Sequence, residues 1–170
     1  AQANNSVDMG GGTDTINVGA LAVTGTLNGG AGSDTIVMGA GANLAGATIQ
    51  NVESFTMAGA GSMTAAQYNA FISGATAGSG ADALTITDAG TITGDADIET
   101  ITFGLAGSTN QITLAGATPQ TINGNTGADT VVTSIANSAN KTIALGTGTD
   151  ILSITDAVAA NWSLTTAGPA

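Results

Sequence analysis

Along the chain, aliphatic residues alternate with threonine, serine, asparagine or glutamine in short bursts: Thr15-Ile16-Asn17-Val18, Leu84-Thr85-Ile86, Thr100-Ile101-Thr102-Phe103, Gln111-Ile112-Thr113-Leu114 and Leu152-Ser153-Ile154. A period of two predicts strands with one buried face. Further bursts run over 21–23, 36–38, 52–57, 143–145 and 162–164, separated by glycine-rich turns, so that strand centres fall about ten residues apart. One segment departs from this period. Thr64-Ala65-Ala66-Gln67-Tyr68-Asn69-Ala70-Phe71-Ile72 opens on a capping residue, continues with good helix formers and sets Tyr68, Phe71 and Ile72 on one side. It predicts a short helix over 64–73, stopped by Gly74 and packed on the flank or over a coil edge.

Regular spacing points to internal repeats, and two are present. The first reads Gly-x-Asp-x-aliphatic and occurs five times: Gly12-Thr-Asp14-Thr-Ile16, Gly32-Ser-Asp34-Thr-Ile36, Gly80-Ala-Asp82-Ala-Leu84, Gly127-Ala-Asp129-Thr-Val131 and Gly148-Thr-Asp150-Ile-Leu152. Two residues ahead of each glycine stands another small residue, Gly10, Gly30, Gly78, Asn125 or Gly146. The second repeat pairs Asn51-Val52-Glu53-Ser54-Phe55-Thr56-Met57 with Asp97-Ile98-Glu99-Thr100-Ile101-Thr102-Phe103, and places both glutamates of the chain in one slot. The motif aspartates are separated by 20, 48, 47 and 21 residues, which are one or more lengths of a coil of about 20. A coil of two strands and two turns has that length, and successive coils stack their strands in parallel with aliphatics inward. The expected fold is therefore all-β: a parallel β-solenoid of about eight coils, forming a single domain or segment over 1–170.

Composition narrows the chemistry. The 170 residues carry one Lys, no His, no Cys and twelve carboxylates, for a formal charge of −11. One cation makes no basic patch for phosphates or anionic lipid heads, so neither nucleic acid nor membrane insertion is expected. Ser-His-Asp and Cys-His catalysis, the usual zinc sites and disulfides all lack their residues. Hard, oxygen-ligated cations remain. The isolated Trp162, Phe55, Phe71, Phe103 and Tyr68 read as packing residues, and Lys141 as a surface charge.

A Gly-x-Gly-x-Asp turn is half of a calcium site: glycines let the backbone turn its carbonyl oxygens inward, and the aspartate supplies charge. Calcium takes six to eight oxygens, so two turns one coil apart must share an ion. That spacing selects Asp14 with Asp34 and Asp129 with Asp150. Asp82 has no equally spaced partner; Asp88, Asp95 and Asp97 are candidates for a looser site beside it, and Asp8 for a further ligand beside Asp14. Alternatively, Gly-x-Asp before a strand forms an ordinary turn in which the carboxylate caps backbone amides without metal. Glu53 and Glu99 read as solvated strand or turn residues, with no nucleophile or base placed near them.

The complete nonapeptide Gly29-Gly30-Ala31-Gly32-Ser33-Asp34-Thr35-Ile36-Val37 and its degenerate copies resemble the repeats-in-toxin family of calcium-binding β-rolls. In that family the copies run in tandem every nine residues, whereas here they are spread between threonine-rich strands. The mixed pattern looks more like secreted bacterial surface-layer proteins and adhesins built as long β-solenoids. The resemblance implies Ca2+ ligation by the carboxylates of Asp14, Asp34, Asp129 and Asp150, with Asp82 as a further candidate. Carbonyls of Gly10, Gly12, Gly30, Gly32, Gly146 and Gly148 would complete the shells.

The expected function is that of a secreted, calcium-stabilised structural protein, a self-assembling surface-layer or filament subunit or an adhesin segment, and not an enzyme. Its expected partners are copies of itself or cell-surface components. Alternatives are a passive stalk of a larger adhesin, a secretion or ancillary module of a secreted hydrolase, and ice or glycan binding by a threonine-rich face.

Overall fold

The computed structural model describes residues 2–3, 6–71, 75–77, 81–95, 97–116, 118, 120–138 and 140–156. Every strand pairing among them is parallel, as the stacking of similar coils requires. The chain is a β-solenoid. Its longest sheet orders the strands Gln2–Ala3, Ala22–Val23, Ala42–Asn43, Ala60–Met63, Ala83–Ile86, Thr100–Phe103, Gln120–Asn125 and Lys141–Gly146, so seven coils separate the first from the last.

In the amino half each coil also gives a strand to two other sheets. One holds Val7–Asp8, Thr26–Asn28 and Thr48–Gln50; the other holds Thr15–Gly19, Thr35–Gly39, Ser54–Ala58 and Ala75–Ala77. In the carboxyl half each coil gives one further strand, to a sheet of Thr91–Thr93, Asn110–Thr113, Asp129–Thr133 and Ile151–Ile154. The alternation read from the sequence sets the faces. Leu84, Ile101 and Ile122 stack in register and are buried, while Thr85, Thr102 and Asn123 form the next column on the outer side.

The change from one cross-section to the other falls at the helix. Helix α1, Ala65–Ala70, follows Ala60–Met63 in the position where the three-stranded sheet would take a fourth strand. Thr64 caps it: its side chain accepts from the Gln67 N–H at 3.1 Å, and Gln67 Oε1 accepts from the Thr64 N–H at 2.8 Å. Gln67 Nε2 donates back to the carbonyls of Leu44 and Ala47, and Asn69 Nδ2 donates forward to the Thr91 carbonyl, so the helix ties the coil before it to the coil after it. Phe71 and Tyr68 seat it against Phe55, at ring distances of 5.0 and 6.2 Å. Burial pushes the Tyr68 phenol above its ordinary range, the Asp95 charge adding to this and the Asp95 backbone bond opposing it. Ile72 and Gly74, expected to finish the helix, lie outside the described residues, as does the 162–164 strand with Trp162. A second helix, α2, Ile135–Ser138, shows no apolar stripe in the sequence, because a single turn is too short for one. Thr64→Ala is expected to cost about 1 kcal/mol, the value of a lost N-cap, read as a lower urea midpoint with unchanged slope.

Candidate metal site in the stacked turns

The repeated glycine turns come together as the spacing predicts. Gly11–Gly12 pairs in parallel with Ala31–Gly32, and the Ala31 N–H donates to the Gly10 carbonyl at 2.8 Å. The stack is so close that a β-carbon at Gly30 would lie 1.8 Å from the Gly10 oxygen, and one at Gly32 would lie 1.6 Å from the Gly12 oxygen. The carboxyl-half turn repeats this. A β-carbon at Gly146 would lie 2.0 Å from the Asn125 oxygen, and one at Gly148 would lie 1.9 Å from the Gly127 oxygen. Glycine is required there by the neighbouring coil as much as by the left-handed φ of 102° at Gly30 and 143° at Gly32.

The carboxylates obey a rule that links coils. Asp34 Oδ1 accepts the Asp14 N–H at 2.8 Å, Glu53 Oε2 accepts the Asp34 N–H at 2.7 Å, and Asp150 Oδ1 accepts the Asp129 N–H at 3.0 Å. At a second corner Asp82 Oδ1 accepts the Gly59 N–H and Glu99 Oε2 accepts the Asp82 N–H, both at 2.8 Å. Asp88 takes the Ala65 N–H and Asp156 takes the Ile135 N–H in the same manner. In each case the acceptor belongs to the later coil and the donor to the earlier one. The amide-capping role weighed from sequence is thus present across coils, and also within single turns, where Asp129 Oδ2 accepts the Asn125 N–H and Asp8 Oδ1 the Gly10 N–H. A cap of this kind is worth up to about 1–3 kcal/mol where its N–H would otherwise be buried unpaired, and less at the exposed Asp156 bond.

Several sequence expectations change here. Glu53 is exposed and Glu99 part-exposed, as solvated turn residues are, but they also occupy the aspartate slot of their columns, each reaching the N–H of the preceding coil. Asp82 bonds to Glu99 and Gly59 in the neighbouring coils, and among the described residues no three carboxylates gather around it. Asp88 is engaged by Ala65, and Asp95 Oδ1 accepts the Asp97 N–H at 2.9 Å. Asp8 accepts the Gly10 N–H of its own turn at 3.2 Å. Gly78 and Gly80 lie outside the described residues. Lys141 is not a free surface charge either; its ammonium donates to the Thr118 carbonyl and to Gln120 Oε1, and burial lowers its pKa.

The two aspartate pairs, alike in sequence, differ in their second oxygens. Asp34 and Asp82 are 1% and 2% exposed, and their Oδ2 atoms, with that of Asp14, are buried without a hydrogen-bond partner. Asp129 is fully buried, but Asn110 Nδ2 supplies its Oδ1 and the Asn125 N–H its Oδ2, both at 2.9 Å. Unpaired buried carboxylate oxygens are costly, and the chain has no second cation to place beside them. Among the described residues no three carboxylates cluster. Any ion would therefore depend on backbone carbonyls, each of which keeps a second lone pair after its β-bond. At Asp14 and Asp34 the donor set is all oxygen: two orphaned carboxylate atoms beside the stacked Gly10, Gly12, Gly30 and Gly32 turns. Oxygen donors of this kind are the ligand chemistry of calcium. No family profile, curated protein or solved structure matches the chain.

Proposed function

We propose that the chain is a secreted, calcium-stabilised structural β-solenoid, a subunit or segment of a bacterial surface layer, filament or adhesin. The supporting observation is the pair of buried, unpartnered Oδ2 atoms of Asp14 and Asp34 against stacked glycine turns. Calcium would neutralise them and complete its shell with the turn carbonyls. Asp129 and Asp150, with Gly146 and Gly148, form the second candidate, which binds more weakly because Asp129 must first release protein donors. Orphaned Asp82 is a third position, without a described glycine turn. Repulsion among twelve carboxylates favours the unfolded chain where calcium is scarce, and binding to the folded state alone favours the solenoid where calcium is millimolar. The role is structural and its proposed partners are further copies or cell-surface components.

A calcium titration followed by circular dichroism, calorimetry and light scattering tests this reading. A gain of β signal or of Tm between chelator and millimolar calcium is expected, with a larger loss of that gain in Asp34→Ala than in Asp88→Ala. An identical signal in chelator and calcium would sink the metal reading, and a gain without scattering would remove self-assembly.

A further inference from the structure

At the corner where the chain enters the eight-stranded sheet, a cleft of about 200 Å³ opens beside Glu99, lined by Glu99, Thr100, Gln120, Thr121, Asn140 and Thr142. The register stacks Thr100, Thr121 and Thr142 as one column across three adjacent strands. Every lining side chain carries a hydroxyl, amide or carboxylate group beside its apolar carbons, and part of the wall is prearranged. Gln120 is 3% exposed; its Nε2 donates to the Asp95 and Ile98 carbonyls, and its Oε1 holds Lys141 Nζ at 2.8 Å. The Glu99 carboxylate is anchored by the Asp82 N–H.

The lining selects among ligand classes. An anion would meet Glu99 and a chain of charge −11 whose one cation is already engaged. A wholly apolar ligand would cover the Glu99 carboxylate and the hydroxyl and amide groups without giving them partners. A metal finds one carboxylate. What remains is a neutral molecule that both donates and accepts hydrogen bonds at many points, because hydroxyl and amide groups do both and Glu99 accepts. The space suits one sugar ring, and the threonine column repeats at the strand spacing of about 4.8 Å, so successive sugars of an extended chain could each meet a coil. We infer that this cleft is a binding site for a neutral saccharide, one pyranose ring seated between Glu99, Asn140 and the threonine column.

The test is a 15N NMR titration of the intact chain with glucose, galactose, mannose, N-acetylglucosamine and their short β-linked oligomers, alongside glucuronate and inorganic phosphate. Amides at 99–100, 120–121 and 140–142 are expected to shift with a neutral sugar at millimolar concentration, more strongly with an oligomer. Thr121→Val and Asn140→Ala are expected to weaken that binding at least fivefold, and Thr130→Val on the carboxyl-half sheet to leave it unchanged, all with wild-type circular dichroism. If Thr121→Val perturbs the fold, Asn140→Ala and Glu99→Gln carry the comparison. No shift at these amides at tens of millimolar neutral sugar, or tighter binding of glucuronate or phosphate, would overturn the inference. The cleft contains none of the aspartates proposed to hold calcium, so the titration is run in calcium and in chelator and the two readings fail separately.

Discussion

Gly32→Ala is expected to unfold the amino-half coils, while Gly10→Ala leaves a folded protein. Both glycines have positive φ, 143° and 91°, so both substitutions pay a backbone penalty of about 1–3 kcal/mol. They differ in what the new methyl meets. At Gly10 nothing lies within 4 Å, whereas at Gly32 the Gly12 carbonyl oxygen stands 1.6 Å away, and that atom is backbone with no rotamer to change. The coils can relieve the contact only by separating, which breaks the Gly11–Gly12 to Ala31–Gly32 pairing and the adjoining Asp14 to Asp34 bond. A loss beyond about 4 kcal/mol is expected for Gly32→Ala, in the range reserved for such defects. Urea unfolding of the two variants measures it. Unfolding free energies within about 1 kcal/mol of one another would mean that the turns are not stacked as described.

Asp34→Asn is expected to separate the two roles of that carboxylate. The amide keeps an oxygen to accept the Asp14 N–H, so the bond between coils survives, but the buried charge is gone. In chelator the variant is expected to melt at or above the wild-type temperature, because removing an uncompensated buried charge is neutral or favourable. In calcium it is expected to lose most of the wild-type gain, which amounts to about 2.7 kcal/mol when free calcium stands a hundredfold above Kd. Asp34→Ala, by contrast, lowers stability in both conditions, since it also orphans the Asp14 amide. Scanning calorimetry of the three proteins in both buffers gives the comparison. A full calcium gain in Asp34→Asn would remove Asp34 from the ligand set and leave amide capping as its whole role.

The alternation of Ile16, Ile36, Ile101 and Ile112 with threonine or glutamine was enough to place strands, and the 20- and 21-residue intervals were enough to stack Asp14 on Asp34 and Asp129 on Asp150. What stayed hidden lay between coils. Nothing local in Val52-Glu53-Ser54 or Ile98-Glu99-Thr100 says that the glutamate stands in an aspartate column, because its partner amide is 19 or 17 residues away and belongs to a differently worded turn. The same Gly-x-Asp wording precedes strands of three different sheets, at Thr35, Ala83 and Thr130, so the motif marks a corner without saying which. Asn110 and Gln120 also work at corners, and as lone amides they carry no pattern at all. The difference between orphaned Asp34 and satisfied Asp129 turns on the Asn125 N–H of the same turn and on Asn110 of the preceding coil, whose amide meets Asp129 only once the two coils are superposed.

The rule that later coils cap earlier ones gives the solenoid a direction. Seven corner amides are capped from the carboxyl side, so cutting the chain there strips their acceptors. Cutting at the amino side uncovers carboxylates, which water solvates readily. The two ends of such a rod are therefore unequal in what they lose when exposed: one frays at its amides, while the other merely becomes wet and charged.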